Sequence, residues 1–283
     1  MNKQYFPLMK RYILLTTMVA LGSFTTAQAD DFGLWGDLAV QKNITKRFSV
    51  DAGIDLRTEN DVKDLTRIGA GAGLGYKATK WLSLGAGYTF LHDYNLSETK
   101  PSYKKDGTTL RGYNVDDAYW RNKHRATFDV SGAIPIGRFT VTIRERYQYT
   151  HYVATTTQRT KYRSEIANLD GWSGNVYTLA GHHFSSKEQE VDEKAAKDKH
   201  YLRSRFGLEY NIRHCAWTPY ATYEFSNDLS HQLHLDKQRL TVGAEWKITK
   251  QHRLDLAYVY SNGADDDNNS DCHALSIGYK FKF

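Results

Sequence analysis

The last eight residues alternate without a break. Ile277, Tyr279, Phe281 and Phe283 fall on one face of an extended chain, and Ser276, Gly278, Lys280 and Lys282 fall on the other. Period-two alternation requires a strand whose two faces meet different solvents. The chain then stops on a bare aromatic. Two folds satisfy such an ending: the edge strand of a soluble sheet, and a barrel strand with lipid outside and water within. The rest of the sequence has to separate them.

Ten further segments alternate in the same way. They run over 32–41, 47–58, 66–77, 81–94, 122–132, 138–151, 200–211, 217–226, 238–248 and 252–261, with 273–283 as the eleventh. The cleanest sets Phe48, Val50, Ala52, Ile54 and Leu56 against Ser49, Asp51, Gly53, Asp55 and Arg57. The connections between segments are alternately short (42–46, 78–80, 212–216) and long (95–121, 152–199, 262–272). Short turns on one side and long loops on the other are the habit of an outer-membrane barrel, with the short turns periplasmic.

A barrel in lipid should sort its outward aromatics to two depths. Strands running toward the long loops end in Tyr88/Phe90, Tyr147/Tyr149, Tyr223/Phe225 and Tyr258/Tyr260. Strands running back end in Tyr76, Tyr210, Trp246 and Phe281/Phe283. Ala, Val, Leu and Ile fill most of the outward positions between. A soluble sandwich has no reason to do this. The expectation is a transmembrane antiparallel β-barrel of about 10–12 strands, in one domain over residues 30–283. Eleven is awkward, because bacterial barrels are normally even. Three solutions stand open: strands two to eleven close as ten with 32–41 apart, a strand is missing from the count, or the barrel closes on a parallel seam. Glu145 is also awkward, since its parity puts a carboxylate on the lipid face of strand six.

The N-terminus agrees with export. Lys3, Lys10 and Arg11 precede an apolar run from Tyr12 to Phe24, and Ala27-Gln28-Ala29 is a small-x-small cleavage signal, so residues 1–29 read as a cleaved signal peptide. Three of the 38 basic residues and none of the 32 acids lie in it, which leaves 35 against 32. That balance is no argument for nucleic acid. Cys215 and Cys272 would sit at opposite ends of a barrel whose apolar band alone is about 25 Å tall, so two free thiols are expected.

The turn sequences Ile44-Thr45-Lys46-Arg47-Phe48, Ala78-Thr79-Lys80-Trp81 and Gly137-Arg138-Phe139, between repeated amphipathic strands, resemble a bacterial outer-membrane barrel family known only as a domain of unknown function, DUF2490. The resemblance covers essentially everything after the signal peptide, apart from 152–199. The closing Gly278, Tyr279, Phe281 and Phe283 resemble the C-terminal signal read by the barrel-assembly machinery. The resemblance implies a Gram-negative outer membrane, with lipid, lipopolysaccharide and that machinery as partners. It carries over no catalytic residue, cofactor or metal ligand.

Parity also selects what faces the lumen. Arg125, Arg144, Arg146, Arg203 and Arg205 point inward near mid-height of strands five to seven. The inward acids Asp51, Asp55, Glu224, Glu245 and Asp255 lie mostly on other strands. A positive wall along a lumen favours anionic solutes. The competing expectation is that Asp129, Glu209 and Glu224 pair with the arginines and close a narrow lumen. The function is then either a small-solute channel preferring anions, or a plugged barrel whose outer loops 95–121 and 152–199 bind a partner or surface polymer.

Chemistry has weaker support. Asp170-Gly171-Trp172-Ser173-Gly174 lacks the spacing of a nucleophile elbow. His92, His124 and Ser97 near the outer rim are the ingredients of a lipid hydrolase, the third reading. His182-His183 and His231-x-x-His234 lack a third ligand at a metal spacing, and Asp265 to Asn269 lacks the glycine and glutamate of a calcium loop. The charged run Lys187 to Lys199 reads as a short helix.

Overall fold

The structure is a computed structural model that describes residues 31–263 and 271–283. The predicted signal peptide, 1–29, and the acidic run 265–269 lie outside the described residues. Eleven strands close a barrel: β1 (Asp31–Asn43), β2 (Phe48–Glu59), β3 (Asp64–Lys77), β4 (Leu82–Asn95), β7 (Tyr119–Ile136), β8 (Phe139–Tyr152), β12 (Lys197–Tyr210), β13 (Trp217–Asp228), β14 (His234–Lys247), β15 (His252–Gly263) and β16 (Cys272–Lys282). They are the eleven alternating segments, with ends that differ by at most four residues.

Ten of the eleven pairings are antiparallel, and the last is not. β1 runs parallel to β16, in register from Asp31↔Cys272 to Gln41↔Lys282. The odd count is therefore resolved by a parallel seam, and no strand stands apart. Backbone bonds from Phe283 N to Gln41 O (3.0 Å) and from Asn43 N to Phe283 O (3.3 Å) finish the seam at the turn end.

The outer wall is apolar on every strand. Leu38 is 55% exposed, Leu74 61%, Ile143 44% and Val242 50%. A soluble monomer rarely leaves even a few hundred Å² of contiguous apolar surface bare. Register brings the aromatics into two rings. At the turn end Phe48 meets Tyr76 (4.8 Å), Phe139 meets Tyr210 (4.9 Å) and Trp217 stacks on Trp246 (5.3 Å). At the loop end the Tyr88 and Tyr147 hydroxyls bond to Nδ1 of His124 (2.6 Å) and His200 (2.8 Å).

Glu145 does face outward, but no bulge relieves it, because β8 keeps an unbroken register against both neighbours. Its carboxylate instead accepts the hydroxyl of outward-facing Ser204 at 2.6 Å. Cys215 and Cys272 are free, at opposite ends of the barrel.

The expected long loops contain a second sheet. β5 (Glu98–Tyr103), β6 (Leu110–Asp116), β9 (Thr155–Glu165), β10 (Tyr177–Leu179) and β11 (His182–Lys194) pair in the order β10-β11-β9-β6-β5. That order follows β12-β8-β7-β4 beneath it, so the sheet carries one side of the barrel wall beyond the rim. The helix expected over Lys187 to Lys199 is instead strand: β11 pairs with β9 from Phe184↔Glu165 to Lys194↔Thr155. Cross-strand partners satisfy its backbone more fully than a short helix of mixed charge could. Asp116 ties this sheet together. It accepts Arg159 Nη2 at 2.9 Å and Lys194 Nζ at 2.8 Å, which holds its carboxyl down at about 2.

Candidate functional site: a divided lumen

Alternation sends every second side chain of the eleven strands into the lumen, where two layers form. The turn-side layer is hollow. Inward glycines at 69, 71, 73 and 75 of β3 leave that stretch of wall bare. A Cβ on Gly71 would stand 2.8 Å from the Tyr88 carbonyl, and one on Gly73 would stand 2.9 Å from the Asp51 carboxylate. Beside this bare wall open cavities of about 790 and 730 Å³, which share Asp37, Arg57, Arg144, Arg205 and Arg239 in their linings.

Four of the five arginines selected by parity form one cluster. Register sets Arg146 opposite Arg203 and Arg144 opposite Arg205. Like charges directly opposite repel, so the square needs acids at its flanks. Glu224, only 3% exposed, accepts Arg144 Nη2 and Arg205 Nε at 2.8 Å each, and also Arg203 Nη2. Asp129 accepts Arg146 through Nε (2.5 Å) and Nη2 (3.1 Å). The expected third acid, Glu209, takes no part; it lines the 730 Å³ cavity. Arg125 sits one level toward the loops, with Nε 3.4 Å from the Thr150 hydroxyl.

The loop-side layer is packed. Arg67 forks onto Asp93 with two bonds of 2.7 Å, and Lys123 adds a third contact at 2.9 Å. Next to them Leu91 is 1% exposed and Tyr152 is wholly buried. The Tyr152 ring faces Lys123 at 4.6 Å, Lys197 at 4.7 Å, Arg121 at 5.2 Å and Lys199 at 5.8 Å. Across the barrel Trp35, Val259 and Ala274 form a small apolar cluster. Trp35 lies between the guanidinium groups of Arg57 (4.2 Å) and Arg239 (4.9 Å). The space left between Arg57, Arg67, Arg125, Tyr201 and Arg239 is about 50 Å³, room for little more than water.

Arg121 anchors this layer to the outer sheet, donating to the carbonyls of Val153 (3.0 Å) and Ala195 (2.6 Å). The packed layer was not anticipated, although its signal is present. Arg67, Leu91, Asp93 and Lys123 are inward by the parity of β3, β4 and β7. Parity says which way a side chain points, not which ones stack into a floor.

The remaining candidates are scattered. Ser97 Oγ donates to the Asp116 carbonyl at 2.9 Å, while His124 faces the Tyr88 hydroxyl and His92 faces Asn122 at 2.6 Å. Ser97 and the two histidines are thus engaged with different partners. His182 contacts Glu165 (2.6 Å) and His231 contacts Asp228 (2.8 Å). Among the described residues no three potential metal ligands gather. Gly278 turns into the lumen, whereas Tyr279, Phe281 and Phe283 belong to the outer aromatic ring at the turn end.

Comparison with known proteins places the chain by family rather than by activity. No curated protein matches it. A solved structure described as a CymD monoaromatic hydrocarbon channel is similar at 10% identity over 88% of this chain and 87% of that one, with a TM-score of 0.30. The family described as "Protein of unknown function (DUF2490)" matches residues 32–271, and the chain belongs to that family.

Proposed function

We propose that the protein is a bacterial outer-membrane barrel whose lumen is shut toward the loops and open toward the periplasm as a basic vestibule. What supports the membrane placement is the apolar wall on all eleven strands, bounded by two aromatic rings. The C-terminal strand then serves as the assembly signal, and lipopolysaccharide surrounds the loop end. What carries the functional reading is the division of the lumen. The turn-side cavities measure about 790 and 730 Å³, and the space above them about 50 Å³. An anion drawn to the arginine square meets a packed floor of Arg67, Asp93, Lys123, Leu91 and Tyr152. The resting protein therefore holds small solutes and does not pass them. This reading is non-catalytic.

Single-channel recording of the refolded protein tests it. Wild type should be silent. The pair Asp93→Asn with Lys123→Met, which removes two charges from the floor, should give steps whose reversal potential favours chloride. Regular steps from wild type would overturn the closed lumen.

A second reading concerns the outer sheet and rests on its order: a five-stranded sheet projecting beyond the rim offers a surface for a partner or surface polymer. Deleting 155–194 should leave the barrel folded and abolish such binding.

A further inference from the structure

The vestibule has a second charged wall facing the first. Asp37 on β1 lies directly opposite Asp55 on β2. On its other side Asp37 pairs with Gly278, which in turn pairs with Asp255. A Cβ on Gly278 would lie 3.4 Å from that of Asp255 and 3.9 Å from that of Asp37. The glycine thus leaves a notch between two carboxylates. Asp55 is held by Arg57 at 3.1 Å. Among the described residues Asp37 forms no ion pair, and Asp255 accepts only the Tyr220 hydroxyl, at 2.8 Å. Arg239, whose charge also acts on Asp37, is stacked on Trp35 and stands 4.0 Å from Glu224.

Around the closed ring β1 is five strands from β12 one way and five from β8 the other way. The Asp37 notch is therefore diametrically opposite the Arg144–Arg205 pair, and both line the same cavities. Arg205 is the most exposed of the square, at 33% of its side chain, and spends Nε alone on Glu224. A guanidinium has five donors, so its outer fork is available to a carboxylate or phosphate.

Eleven strands at about 4.8 Å spacing and ~40° tilt close a ring roughly 20 Å across. After the reach of an arginine and an aspartate, on the order of 10 Å separates the two heads, about three extended residues of roughly 3.4 Å each.

We propose that the vestibule binds a short zwitterion of this charge separation, such as an oligopeptide of about three residues. Its anionic head sits on Arg144 and Arg205, and its ammonium sits in the Gly278 notch between Asp37 and Asp255. A simple anion satisfies one wall only. The inference rests on the solute-holding vestibule of the proposed function.

Titration calorimetry of the refolded full chain with triglycine, N-acetyltriglycine and triglycinamide tests it without altering the protein. Triglycine should bind at least tenfold tighter than either capped form. Asp37→Asn should abolish the preference over the acetylated peptide, and Arg205→Gln the preference over the amide. Equal binding of triglycine and N-acetyltriglycine would reduce the vestibule to an anion site and overturn the proposal. Absence of triglycine binding would also overturn it. Neither result touches the closed lumen, which stands or falls on the bilayer recordings.

Discussion

Replacing Glu224 by glutamine should destabilise the barrel by about 3–5 kcal/mol, the usual cost of removing one partner from a buried ion pair. The side chain keeps its shape, so the loss is electrostatic. Glu224 bonds to Arg144, Arg203 and Arg205, and Arg239 stands 4.0 Å away. At 4 Å and an effective dielectric of 20, a single such pair is worth about 4 kcal/mol of Coulomb energy before desolvation. Several guanidinium groups share this one carboxylate, but Arg205 is a third exposed to the vestibule, where water screens it. The lower half of the range is therefore expected. Urea titration of the protein refolded into lipid vesicles, followed by tryptophan fluorescence, measures it. With a slope of about 2 kcal/mol per M, the midpoint should fall by roughly 1.5–2 M. Adding Arg205→Gln to the glutamine variant should recover part of the loss, because it removes one of the charges left unpaired. A loss under about 1 kcal/mol, or no recovery in the double variant, would show that Glu224 is not what neutralises the square.

Glu145→Leu places an apolar side chain on the outer wall in place of the carboxylate bonded to Ser204, and should raise stability in vesicles by about 1–2 kcal/mol if lipid faces it; a fall in stability would mean that protein covers this face. The outer sheet should loosen in acid. Arg159 and Lys194 hold the Asp116 carboxyl at about 2, below the roughly 3.9 of an unfolded aspartate. Its contribution is complete above pH ~4 and is lost as pH falls through 2. Amide exchange in β6 and β9 should accelerate over that window, and in Asp116→Asn it should already be fast at pH 6. In intact cells a membrane-impermeant maleimide should leave Cys215 unlabelled in a Cys272→Ser background until the outer membrane is permeabilised; labelling of intact cells would invert the orientation.

The strands of the barrel were legible because apolar and polar side chains take alternate positions, as two unlike faces require. The same parity exposed the arginines, which the register then gathers. Where both faces of a strand are largely polar, the signal vanishes. β9 (Thr155 to Glu165) and β11 (His182 to Lys194) are largely polar on both faces, with Phe184 and Val191 the apolar exceptions on β11, and their extended form comes from cross-strand pairing and the Asp116 network. The packed floor depends on which inward residues reach one another across strands far apart in sequence. The parallel seam was undecidable for a related reason: β1 alternates identically whichever partner it takes.

The seam also has a consequence for how the barrel assembles. Every other neighbouring pair is joined within one chain reversal or across strands of the outer sheet, so strands can be added one after another as the barrel sheet grows. The β1–β16 contact joins opposite ends of the sequence, so no short connection brings these two strands together. Until they meet, the growing sheet has two open edges, each able to pair with a strand from another molecule. The last step must also bring these two strands together pointing the same way, which no hairpin can do. The slow, error-prone event in this protein's biogenesis should therefore be closure, and anything that holds β16 until β1 arrives should govern its yield.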